Sequence, residues 1–388
     1  MAVSIHHFVI SCRSPSETCE LFCQKFSFRK FAICKQLGQG VKIAAKISDD
    51  IVAVFEERPK NASHDSVYDV ALVVEDFVEK HATAVKNGAH FIQSPTRIED
   101  QYGYIDYAIV KVPAGNIQHT LLDVSHYGGQ FLPGYQPIND VENVNSPTTE
   151  SNHQLVTHID HVTCICHQNT TVPLLNWYQK CFNFSRFTIN ADEEEDGYTL
   201  NDLHIKMIAA QYWLCTEQGI QSSNGRFKFL LAEPLDISVN NHVNGFLKEQ
   251  EGSGIQHIAL HTENITNTVG QMKAAGTAFV TPPDTYYNNL KQADIHETVK
   301  LSAEDLKENN VLLDFELDKC ENEGHNSNGQ RRPDAKYLLQ AFTRPLLDKK
   351  RSFFMEVIQR FGARGFGGSN IRKSFTAMED NNGIVNDT

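Results

Sequence analysis

A gapless internal repeat constrains this chain more than any other feature. The stretch YDVALVVEDFVEKHATAVKNGAHFIQSP, starting at Tyr68, matches QHIALHTENITNTVGQMKAAGTAFVTPP, starting at Gln256, at a constant offset (256 − 68 = 188). Each copy reads as a strand, a helix closed by a glycine, a second strand and then proline. In the second helix Ile265, Val269 and Met272 recur at i, i+4 and i+7, which puts them on one face. Gly88 and Gly276 suit the left-handed residue that follows a helix end. A shorter pair opens each half: SIHHFVIS followed by ETCELFCQKFSFRKFA, and HIDHVTCI followed by VPLLNWYQKCFNFSRFT, with His7 and His161 in register. The expectation is four strand–helix–strand modules, two per half, in an α+β protein of curved mixed sheets.

The boundaries follow from composition. Residues 139–154, NDVENVNSPTTESNHQ, are polar and read as a linker between an N-terminal domain, 1–138, and a C-terminal domain, 155–388. Residues 318–334 are also polar and are expected to form a mobile insertion. Residues 369–388 are expected to begin as a helix and end as a tail. The formal charge of −13 over 388 residues, without basic blocks, makes the chain a poor binder of nucleic acid or anionic membranes, and no nucleic-acid partner is expected. No apolar run approaches the ~18 residues of a transmembrane helix. MAVSIHHFVIS enters a strand with neither a secretory nor an Arg-rich leader. Nine cysteines without a close CxxC pair read as reduced thiols of an intracellular protein.

The chemistry-bearing stretch is Tyr337 to Ile371. Two apolar runs there, Tyr337–Phe342 and Ser352–Ile358, read as a hairpin with a long connection, and Glu356 sits inside the second. Alternation puts Phe354, Glu356 and Ile358 on one face. A buried carboxylate is costly unless it is paired or holds a metal. His161 lies in the first strand of the third module and His257 in the first strand of the fourth. Two imidazoles and a carboxylate are the donor set of a facial triad, which holds non-haem iron(II) and leaves positions open for a chelating substrate and dioxygen. The first half offers a contrast: His7 is kept, but Asp69 stands where His257 stands and Thr120 where Glu356 stands. One metal site, in the C-terminal half, is expected. Spacing alone leaves rivals: His158, His167, His204 and His261 lie nearby, and Glu356 has Arg360 and Lys350 as alternative partners.

At these residues the chain resembles the 4-hydroxyphenylpyruvate dioxygenase family of the vicinal oxygen chelate superfamily. The resemblance is carried by HIDHVTC, GSGIQHIALHTENI, PPDTYY, YLLQAFTRP, FFMEVIQR and GFGGSNI, in this order and over nearly the whole chain. It implies βαβββ modules in two tandem domains, an iron(II) centre of His161, His257 and Glu356, and a pocket including Gln256 and Gln340. Phe342, Phe354 and Phe366 would form its aromatic walls, and Asn370 would lie in a C-terminal gating helix. Gln340, Asn370 and Ile371 are the residues expected to shape catalysis. The implied partners are a 2-oxo acid, 4-hydroxyphenylpyruvate, and O2. A homodimer is left open.

The departures bear on the product. Ala232 replaces an Asn before Glu-Pro, Ser369 replaces a Gly, and Ile371 replaces a Phe. Ile371 is shared with the hydroxymandelate-forming members, and FLPGYQP at 131–137 with the dioxygenase-like animal branch. The resemblance therefore implies 4-hydroxymandelate by benzylic hydroxylation, feeding the ubiquinone ring precursor, ahead of homogentisate in tyrosine breakdown. It also implies a mitochondrial setting, with the cytoplasm as the alternative. A protein that kept the fold for binding alone is the reading from another class.

Overall fold

The computed structural model describes residues 3–36, 40–138, 155–190, 192–212, 215–216, 219–220, 227–290, 299–316, 336–368 and 370–373. The expected linker, the insertion at 318–334, Ser369 and the tail beyond 373 lie outside the described residues.

The first half builds one mixed sheet. Its strands are β1 (Val3–Cys12), β2 (Arg29–Gln36), β3 (Gly40–Ser48), β4 (Ile51–Glu57), β5 (Ser66–Val74), β6 (His90–Asp100), β7 (Gly103–Lys111), β8 (Gln118–Asp123) and β9 (Gln136–Pro137), in the order β6-β7-β8-β5-β1-β4-β3-β2-β9. The second half contributes β10 (Ile159–Ile165), β11 (Ser185–Phe187), β12 (Tyr198–Leu200), β13 (Ile205–Gln211), a separate pair β14 (Cys215–Thr216) and β15 (Gly219–Ile220), then β16 (Lys228–Pro234), β17 (Gly254–His261), β18 (Leu312–Phe315), β19 (Tyr337–Phe342) and β20 (Phe354–Phe361). The order there is β11-β13-β16-β10-β17-β20-β19-β18. The two sheets share one plan: the paired opening strands β1/β5 and β10/β17 lie at the centre, and each is flanked by a parallel neighbour.

The repeat extends to the backbone irregularities. His7 pairs with Ala71, and His161 pairs with Ala259, the residue 188 further on (71 + 188 = 259). Register shifts fall at the same places in both copies: between Ile5 and His7 as between Ile159 and His161, and between Val9 and Ile10 as between Thr163 and Cys164. Such bulges bend a strand and re-aim its side chains. Here they let the successive residues Gln256 and His257 both reach one cavity.

Helices cover the sheets as their apolar spacing requires. Helix α1 (Pro15–Phe26) starts on a proline whose missing N–H would be unsatisfied anyway, and buries Cys19, Phe22 and Phe26. Helix α2 (Phe77–Lys86) is followed by Gly88 at φ 85°, and the equivalent helix of the second half, Ile265–Ala274, by Gly276 at φ 86°. The latter helix buries Ile265, Val269 and Met272 as its spacing predicts. One apolar cluster runs through both halves. His119 donates from Nδ1 to Val70 O and accepts the Tyr178 hydroxyl across the halves, each at 2.8 Å.

One expectation fails. The repeat predicts a strand after Gly276, matching β6. The segment instead makes a single bridge, Phe279 to Thr343, and crosses the end of β19 through Val280 N to Phe342 O and Arg344 N to Ala278 O, both 2.8 Å. Pro282 and Pro283 follow, and neither has an N–H to extend a ladder. The vacated edge is taken by β18, from later in the chain.

Candidate metal centre

Three adjacent strands bring the predicted ligands together. Ala259 on β17 lies opposite His161 on β10 and also opposite Glu356 on β20. Directly paired residues point to the same face of a sheet, so His161 and Glu356 flank the small Ala259 side chain. His257, two residues before Ala259, shares that face. The result is a cluster in which ligand atoms of His161, His257 and Glu356 all lie within 4.8 Å of one another. Glu356 Oε2 is 3.5 Å from His161 Nε2 and 3.3 Å from His257 Nε2. All three residues are buried.

The rear nitrogens are spoken for, which fixes which face of each ring looks inward. His161 Nδ1 donates to Asp160 Oδ1 at 2.8 Å, and His257 Nδ1 donates to Gln256 Oε1 at 3.2 Å. Both Nε2 atoms therefore face the carboxylate, and on losing their protons they offer the lone pairs a metal requires. Asp160 is itself held by Arg360, through Nε at 2.7 Å and Nη2 at 2.8 Å. Arg360, a sequence-level rival for Glu356, thus serves Asp160 instead. Burial alone would raise the Glu356 carboxyl, but His161 and His257 bring it down to about 2. Burial would lower His161, but Glu356 and Asp160 outweigh it and hold it above its ordinary value, whereas His257 stays below. Buried carboxylate beside imidazole lone pairs fits a divalent cation. With Asp160 neutralised by Arg360 and Lys228, a bound M2+ leaves this centre net positive, suited to an anionic acid.

A chain of hydrogen bonds runs from the centre to the last described helical turn. Glu356 Oε1 accepts from Gln340 Nε2 at 2.8 Å, and Gln340 Oε1 accepts from Asn370 Nδ2 at 2.9 Å. The carboxylate can only accept, so the polarity of both amides is set. Gln340 Nε2 also reaches Phe366 O at 3.1 Å. Gly367, at φ 71°, passes so close to Gln340 that a Cβ would sit 1.9 Å from its Oε1, so only glycine fits.

The enclosed cavity is lined by the triad, Gln256, Gln340, Phe342, Phe354, Phe366 and Ile371, with Thr163, Ala232 and Met207 among the remaining walls. Phe342, Phe354 and Phe366 thus all line the cavity that holds the triad. Its free volume is about 20 Å3, enough for a water but not for an aryl acid. Part of its lining must move before such a ligand enters.

The first half holds the equivalent positions without the ligand set. Asp69 pairs with Gln118 as His257 pairs with Phe354 (118 − 69 = 49; 354 − 257 = 97, the longer connection lying in the second copy). There Asp69 accepts from the Thr120 hydroxyl at 2.5 Å and from Gln118 at 2.9 Å. Among the described residues, no other His/Cys/Asp/Glu group approaches metal-binding geometry. Of the rival histidines, His158 and His261 stack on each other at 4.7 Å. His204 closes a short 3-10 turn in the left-handed region. Cys164 and Cys166 are buried, free thiols. Sequence reasoning missed Asp160 and Thr163. The one available signal was their position, one before and two after His161.

Known proteins resemble this chain along most of its length. A family model described as Glyoxalase/Bleomycin resistance protein/Dioxygenase superfamily matches residues 159–297. A 4-hydroxyphenylpyruvate dioxygenase of Xenopus tropicalis is 30% identical over 396 residues, covering 97% of this chain and 91% of that protein. A 4-hydroxyphenylpyruvate dioxygenase-like protein of Rattus norvegicus is 30% identical over 316 residues, covering 79% of this chain and 75% of that one. In fold, the chain superposes on a mutant of 4-hydroxymandelate synthase from Streptomyces coelicolor with a TM-score of 0.72 at 23% identity, covering 98% of this chain and all of the other. By its length-wide identity to these relatives, the chain belongs to the 4-hydroxyphenylpyruvate dioxygenase family of iron(II)-dependent dioxygenases that act on a 2-oxo acid.

Proposed function

We propose that this protein converts 4-hydroxyphenylpyruvate and O2 to 4-hydroxymandelate and CO2, with His161, His257 and Glu356 holding its iron(II). The metal supplies the activation of dioxygen and the oxidative loss of CO2. The chain's part is orientation and exclusion of water. Gln340 holds Glu356 in place, Gln256 presents an amide to the substrate, and Phe342, Phe354 and Phe366 enclose the ring. Asn370 ties the covering turn to Gln340.

The observation that carries the choice of product is Ile371. It is buried in the cavity wall, on the same cavity as Ala232. Homogentisate and 4-hydroxymandelate are isomers formed from the same reactants, so only the carbon presented to the oxidant differs. A branched, stiff and shorter side chain at 371 leaves the ring room to swing aside and present its benzylic carbon. Ala232 offers no polar grip to hold the ring for attack. The names of the curated relatives favour the second reading, homogentisate.

Chromatography of the products formed with iron(II), ascorbate and 4-hydroxyphenylpyruvate tests the reading. The expected main product is 4-hydroxymandelate, with a partial shift to ring-attack products in Ile371→Phe. One wall residue moves relative barriers by ~1–3 kcal/mol, enough to redirect most of a mixture. Homogentisate from the unaltered protein would establish the second reading. No turnover and no iron uptake would establish a binding protein. By resemblance alone the proposal extends to a mitochondrial rather than cytoplasmic setting, to supply of the ubiquinone ring precursor, and to a homodimer; cell fractionation and sedimentation test compartment and assembly.

A further inference from the structure

Two buried polar atoms in the cavity wall have no hydrogen-bond partner: Thr163 Oγ1 and Gln256 Nε2. A buried polar group left unpaired is destabilising, so such atoms call for an explanation. For Gln256 the polarity is set by its neighbour. His257 must keep Nε2 unprotonated to ligate, so its Nδ1–H donates to Gln256 Oε1 and the amide NH2 is left as a donor. Thr163 lies on the central strand β10, between β16 and β17. It is directly opposite His257 and two residues beyond His161, on the face that carries the metal ligands. A valine would fill the same space without a stranded hydroxyl.

Two unpaired donors thus stand side by side across β10 and β17, next to the two imidazoles. We propose that Thr163 is a substrate-contacting residue, whose hydroxyl donates to an oxygen of the bound 2-oxo acid alongside the Gln256 amide. The inference rests on the function proposed above and deepens it. Because Thr163 sits level with His257, it meets the carboxylate and keto end of the ligand rather than the far end of its tail. It therefore recognises the 2-oxo acid head group, and its effect is independent of what the tail carries. The cavity walls beyond it, Ile165, Ile205, Met207, Leu230 and Ala232, offer only apolar surface to that tail.

The test is calorimetric titration of the anaerobic, iron(II)-loaded protein with 4-hydroxyphenylpyruvate and with phenylpyruvate, together with thermal melts of the metal-free protein. Thr163→Val is expected to weaken both acids by a similar factor, about tenfold, the scale of one lost hydrogen bond. The melting temperature of the metal-free variant should be unchanged or higher, since the substitution removes a stranded hydroxyl. Thr163→Ser should keep affinity within about twofold. Unchanged affinity in Thr163→Val would overturn the proposal. So would a lower melting temperature of the metal-free variant with affinity intact, which would mark the hydroxyl as structural. If the unaltered protein binds neither acid, the proposed function itself fails, and this inference with it.

Discussion

Replacing Asp160 by asparagine removes one negative charge from behind the metal centre and changes little in volume. Asp160 is 4% exposed and accepts from His161 Nδ1 and, bidentately, from Arg360, whose side chain is 13% exposed. Breaking a buried ion pair by removing one partner costs about 3–5 kcal/mol, because the other charge is stranded. Arg360 is not fully buried and keeps its bonds to Ala363 O and Gly365 O, so the lower end, about 3 kcal/mol, applies. A second effect is separate from the first. The carboxylate fixes the His161 tautomer and raises its basicity, and loss of such a partner typically lowers metal affinity about 10- to 100-fold. Denaturant unfolding of the metal-free protein reads the first effect, and iron(II) titration under argon reads the second. The double variant Asp160→Asn with Arg360→Met separates them: it removes the stranded charge, so stability should largely recover while iron affinity stays low. If the double variant binds iron as tightly as the parent, Asp160 does not position His161 and the reasoning fails.

Two further outcomes are expected. His161→Ala, His257→Ala and Glu356→Ala should each lose most bound iron and all turnover, whereas His7→Ala should keep both, because Asp69 and Thr120 stand in its partners' places; full iron occupancy in Glu356→Ala, read by metal analysis, would sink the ligand assignment. The second concerns pH. Burial raises the Asp69 carboxyl from 3.8 to about 6 against the bonds from Gln118 and Thr120. At Asp69 the folded protein then holds a proton that the unfolded chain releases, so this carboxyl's contribution to stability falls as pH rises from about 4 to about 6. The gap between 3.8 and about 6, at about 1.4 kcal/mol per unit, corresponds to about 3 kcal/mol. Asp69→Asn should flatten this slope and exceed the parent in stability above pH 6; superimposable stability–pH curves would refute it.

The repeat made much of this protein legible before any coordinates. Periodicity and a constant offset are local, one-dimensional signals, and they marked the four opening strands, the glycine-closed helices and the correspondence of His7 with His161. They also showed that Asp69 and Thr120 leave the first copy without a ligand set. Family motifs then singled out His161, His257 and Glu356 from nearby histidines that spacing could not exclude. What the sequence did not disclose depends on contacts between distant segments. Arg360 serves Asp160, 200 residues earlier, and nothing in either local pattern couples them. The bulge that turns both Gln256 and His257 toward the cavity is a property of strand pairing, not of either strand. The edge position vacated after Gly276 passed to Leu312–Phe315, because prolines stop one ladder and a later segment was free to complete it. Thr163 reads as an ordinary strand residue until packing encloses its hydroxyl without a partner. Composition and period decide which elements form and which face they bury; only the assembled sheet decides which polar atoms are left facing the substrate.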